Sequence, residues 1–121
     1  TTDNNIAATT SGLVNAITPA SGMLDHWLFA VMESAALDDQ KGYGIFCGFA
    51  TAYLIKASGD IAAGDALCVT TAGNLSPDGA LGRKFVAVYA PLDGATLSAP
   101  TTRTLGLVWF NGVNGIGTHA G

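Results

Sequence analysis

Few residues in this chain could do chemistry, and none of them comes with the company that chemistry needs. His26 could act as a general base, but no nucleophile motif of the Gly-x-Ser-x-Gly kind accompanies it. Beside Asp25 and Trp27 it reads as a histidine at a strand end. Glu33 is the only glutamate, so a paired-carboxylate mechanism would have to recruit one of the eight aspartates. Four of those, Asp60, Asp65, Asp78 and Asp93, sit next to glycines, in turns. Asp38 and Asp39 lack the alternating oxygen ligands of a calcium loop. Gly112, Gly115 and Gly117 follow an apolar run, but their order reverses the Gly-x-Gly-x-x-Gly phosphate fingerprint, and no helix follows to supply an anion site. Asn74-Leu75-Ser76 matches a glycosylation sequon and reads as an ordinary turn.

Cys47 and Cys68 stand twenty-one positions apart, each inside an apolar run, with no Cys-x-x-Cys motif. Two cysteines and two histidines complete no zinc site of known spacing. Buried structural thiols are expected. A disulfide stays open, because spacing does not say whether their strands are neighbours. No catalytic residue, cofactor or metal is expected, and the chain does not read as an enzyme.

The elements that would position these residues are short and punctuated. From Gly22 to Gln40 helix and strand templates compete: Met23, Leu24, Trp27, Leu28, Val31 and Met32 fit amphipathic helical spacing, yet Trp27 to Met32 is also a compact apolar run. An internal comparison favours strand. Phe29-Ala30-Val31-Met32 is followed by Leu37-Asp38 and then by Gly44-Ile45-Phe46-Cys47. Likewise Phe85-Val86-Ala87-Val88-Tyr89 is followed by Pro91-Leu92-Asp93 and then by Gly106-Leu107-Val108-Trp109. In the second copy Val86, Val88 and Pro91 oppose a helix. Gly44 to Lys56 reads as one or two strands. Gly59-Asp60 and Gly64-Asp65 supply tight bends, and Ala66 to Thr70 is a strand leading to a hairpin turn at Ala72-Gly73-Asn74. Short strands with turns every eight to twelve residues predict an all-β fold, a small barrel or sandwich over residues 21–110. Residues 1–20 read as an extended N-terminal arm that orders against a partner, anchored by Ile6, Leu13, Val14 and Ile17. Residues 111–121, rich in glycine, read as a flexible tail. Trp27, Tyr53, Tyr89 and Trp109 are expected in the core or at contacts between subunits.

Composition bounds the partners. The chain has 121 residues, enough for one domain with its own core. Only 12% of residues are charged, against roughly 25% in an ordinary soluble domain. With 49% hydrophobic residues and a mean hydropathy of +0.37, the surface is expected to be covered in part by neighbours. Five basic residues against nine acidic ones give a net charge of −4 and no patch for nucleic acid. The apolar stretch Gly42–Ile55 is too short and too polar to span a bilayer, which takes about 20 apolar residues. The N-terminus lacks a basic and an apolar signal region. A soluble chain that is not exported is expected, with an initiator Met removed ahead of Thr1.

The order of segments resembles the small head-decoration, or capsid-cement, proteins of tailed bacteriophages. Leu28-Phe29-Ala30-Val31-Met32 resembles that family's first Gly-Val-Ala strand, and Ala35-Ala36-Leu37-Asp38 its Asp-containing turn. Leu54-Ile55-Lys56 stands at a Leu-x-Lys position. Ile61-Ala62-Ala63-Gly64-Asp65-Ala66-Leu67 matches the Ile-x-x-Gly-Asp turn, with Ala72-Gly73-Asn74-Leu75 as the hairpin tip. Val86-Ala87-Val88 and Thr104-Leu105-Gly106-Leu107-Val108 follow. The likeness covers residues 22–110, and Ala30 and Ala87 replace the family's two glycines. It implies a β-clip or β-tulip-like fold and a structural virion protein on the capsid's outer surface, made in the host cytoplasm. It also implies the major capsid protein as partner, a homotrimer, and stabilisation of the expanded shell. One rival reading is a small β-domain that binds a glycan or other small ligand through exposed aromatics; another is a subunit or accessory domain of an enzyme whose catalytic residues lie elsewhere.

Overall fold

A computed structural model describes residues 4–10, 15–19, 28–33, 43–80 and 82–120. Ten strands are present in them and no helix: β1 (Ile6–Thr10), β2 (Asn15–Ile17), β3 (Leu28–Met32), β4 (Gly44–Ile45), β5 (Cys47–Leu54), β6 (Ala66–Val69), β7 (Leu75–Ser76), β8 (Lys84–Tyr89), β9 (Thr104–Asn111) and β10 (Gly117–Thr118). The all-β expectation holds. Among the described residues no helix is long and apolar enough to cross a membrane.

The second sheet runs β10-β8-β6-β7-β5-β9, and β9 returns to pair with β8, closing a five-stranded barrel. Its longest ladder is β5 against β9, antiparallel over eight pairs from Cys47↔Asn111 to Leu54↔Thr104. Alternation sorts the side chains. Ala50, Ala52 and Leu54 on β5 and Val108 and Phe110 on β9 point into the core. Gly106 lies in that inward row, where a Cβ would come within 2.6 Å of Leu54 Cδ1 and 3.0 Å of Tyr89 Cε1. The missing side chain leaves space for the Tyr89 ring.

The turns follow the predicted chemistry. Gly64 has φ of +90°, open to glycine at no steric cost, and the Asp65 carboxylate accepts the Ala62 N–H at 2.9 Å. Between β6 and β7, Gly73 has φ of +79°, and the Thr70 hydroxyl accepts the Asn74 N–H at 3.1 Å.

The first sheet, β2-β1-β3-β4, shares its core with the barrel. Phe29 and Val31 of β3 and Ile6 and Ala8 of β1 belong to the same core cluster as the barrel residues. Residues 28–32 are thus a strand, while Met23, Leu24 and Trp27 lie outside the described residues. The internal comparison has a structural counterpart: β3 pairs antiparallel with β4, as β8 does with β9.

Two expectations about the ends are corrected. Ile6 is 2% exposed and β1 lies between β2 and β3, so this part of the N-terminal segment is built into the chain's own sheet. Its backbone is stitched on both sides: the Ile6 N–H donates to the Gly73 carbonyl at 2.7 Å, and the Met32 N–H to the Asn5 carbonyl at 2.9 Å. At the other end, residues 111–120 are docked. The Ile116 N–H donates to the Phe85 carbonyl at 2.8 Å, β10 pairs with β8, and the His119 Nε2–H donates to the Pro77 carbonyl at 3.1 Å.

Candidate functional site

No cluster of three or more potential metal ligands exists among the described residues. The cysteines part ways. Cys47 is exposed at the start of β5, against the expectation of burial, whereas Cys68 is buried on β6; no disulfide joins them. β7 lies between their strands.

The predicted aromatics also separate. Tyr89 is 7% exposed and belongs to the core, which removes it from the candidate contacts between subunits. Tyr53 is half-buried on the outer side of β5, with the Arg103 guanidinium 4.1 Å above its ring. Arg103 also donates to the Asn5 side-chain oxygen at 3.1 Å. This one arginine ties the end of β5 to the N-terminal segment. Trp109 is 40% exposed on β9. Trp27, Leu13 and Val14 lie outside the described residues, and Ile17 pairs with Ala8 across β1 and β2.

Sequence reasoning missed Phe49. It stands directly across from Trp109 in the β5–β9 ladder and is 62% exposed. The two rings meet edge to face, with centroids 5.1 Å apart and planes at 73°. Beyond them the outward positions are Thr51 opposite Leu107 and Tyr53 opposite Leu105, the last 48% exposed. On the other side Val88 of β8 pairs with Trp109, and Ala66 of β6 with Val88. A row of apolar side chains thus crosses four strands on the outside of the barrel. The signal was in the sequence. Cys47 to Tyr53 and Leu105 to Trp109 are apolar or uncharged at outward as well as inward positions, where a sheet facing water alternates with polar residues.

A second group of exposed apolar residues lies in the connections. Leu92 stands 96% exposed in the turn after β8, and Val113 and Ile116 flank the turn between β9 and β10. No family model, curated protein or solved structure matches the chain.

Proposed function

We propose that the protein is a structural virion component, a decoration or cement protein that binds the outside of a phage capsid and stabilises the expanded shell. The observation that carries this reading is the surface. Tyr43, Phe49, Leu92, Leu105, Trp109, Val113 and Ile116 are all exposed on a chain with 12% charged residues. Such a surface favours contact with other protein. Its chemistry supports adhesion: apolar area and aromatic rings are what protein interfaces concentrate at their centres.

The resemblance in segment order supports the same function and adds the major capsid protein and further copies of the chain, as a trimer, to its partners. Copies held side by side on a shell meet at high effective concentration, so individually weak contacts suffice. The ligand-binding alternative needs a flat aromatic platform. Phe49 and Trp109 stand edge to face instead, which favours packing against protein over stacking on a sugar.

Co-sedimentation with expanded, undecorated capsids from the same source tests the proposal. Saturable pelleting at a fixed ratio to the capsid protein is expected. Absence of pelleting, together with ligand-dependent quenching of tryptophan fluorescence, would replace it with the ligand-binding alternative.

A further inference from the structure

We infer that the outer face of β5 and β9, centred on Phe49 and Trp109, is the surface by which each copy seats on the shell. The inference rests on the decoration reading.

The charge pattern is one-sided. The chain carries a net charge of −4, yet the described acidic residues, Glu33, Asp60, Asp65, Asp78 and Asp93, all lie off β5 and β9. None of the outward positions from Phe49 to Tyr53 or from Leu105 to Trp109 is charged. Arg103, at the rim, is already engaged by the Tyr53 ring and the Asn5 side chain. Pressing this face against protein buries no unpaired charge, the costliest event in interface formation. The matching surface is apolar and uncharged.

The area selects the occupant. Phe49, Leu105 and Trp109, at 62%, 48% and 40% exposure, offer on the order of 300 Å² between them. A stable pair of proteins buries about 800 Å² on each partner. Two copies meeting through this face alone would part at ordinary concentrations. A shell subunit can supply contacts beyond the patch, and the shell presents its surface many times over. The face then acts as the dry centre of a larger contact.

The test uses the full chain. Sedimentation velocity of the protein alone is measured first for the wild type and for Thr51→Lys, which places a charge mid-face without removing packed atoms. If the wild type self-associates and Thr51→Lys abolishes it, the face joins copies of the chain and the inference is overturned. Pelleting with expanded, undecorated capsids follows, for Thr51→Lys, Phe49→Ser and, as a control on the exposed loop after β8, Thr96→Lys. Each variant is first required to melt cooperatively, as the wild type does. Half-saturation is expected to rise about thirtyfold or more for the first two, the size of an interface hot spot. Thr96→Lys is expected to pellet like the wild type. If Thr51→Lys and Phe49→Ser saturate as the wild type does, the seating face is elsewhere and the decoration reading stands. If the wild type itself does not pellet, both fall.

Discussion

The Phe29 N–H donates to the Gly112 carbonyl at 3.0 Å, and this bond ties the first sheet to the end of β9. Gly112 in turn donates to the Phe46 carbonyl at 2.8 Å. A side chain is not admitted at this junction. A Cβ on Gly112 would run into the Phe29 carbonyl oxygen and come within 2.7 Å of Phe110 Cε2. Both neighbours are fixed, one as backbone and one as a fully buried ring. Gly112→Ala is therefore expected to destabilise the fold by about 3 kcal/mol, the upper end of ordinary overpacking. Urea unfolding measures it as a lower midpoint at unchanged slope. A loss under about 0.5 kcal/mol, the size of an ordinary surface substitution, would show that the two sheets separate more easily than this geometry implies.

Ile6 connects the same two layers from the other end of the chain. It is 2% exposed and packs in the common core, so Ile6→Ala is expected to cost about 3 kcal/mol. Deleting residues 1–10 is more severe. It removes β1 from between β2 and β3 and uncovers Phe29 and Val31. The truncated chain is expected to lose its cooperative thermal transition, so loss of capsid binding on truncation would report unfolding rather than a lost arm. A truncated domain that melts cooperatively near the full-length midpoint would restore the arm.

What the sequence revealed and what it hid follow from how each element is held. β5, β8 and β9 were legible because large residues such as Leu54, Val86, Val108 and Phe110 mark them, and β6 because Gly64, Asp65 and Gly73 bracket it. β1 was not. Ala7 and Ala8 are completely buried, but small side chains give a weak periodic signal, and the flanking threonines look solvated. The C-terminal segment was hidden for another reason. It is held largely by backbone bonds, such as Ile116 to Phe85 and His119 to Arg83, which leave no apolar periodicity in the sequence. The candidate face was half legible. Trp109 and Tyr89 are equally apolar in sequence, and only the gap at Gly106 shows that Tyr89 turns inward. Phe49 went unnoticed inside an apolar run until the register set it opposite Trp109.

The two thiols give a direct check on that register. Cys47 starts the outward row of β5, whereas Cys68 is completely buried. An aromatic disulfide reagent is expected to titrate one thiol quickly in the native protein and the second only as it unfolds. Cys47→Ser is expected to abolish the fast phase. Two fast thiols would mean that β6 is open to solvent, and none would mean that the start of β5 is covered.

Lys84 provides the pH signature of the β8–β10 junction. Its ammonium lies 5.6 Å from the centroid of the buried Phe29 ring, and Gly115 packs over its stem. Partial burial strips water from the charge and lowers the pKa below the ordinary 10.5. Between the folded and unfolded pKa values the unfolded chain holds more protons, so this group makes stability rise with pH across that window. Below the folded pKa the burial penalty is present in full; above 10.5 it is gone. Lys84→Met keeps the stem and removes the charge. The stability of this variant relative to the wild type is expected to be greatest at neutral pH and to shrink as pH rises toward 10.5, measured by urea unfolding in a pH series. A difference that stays constant across the series would show that the Lys84 ammonium keeps its water in the folded protein.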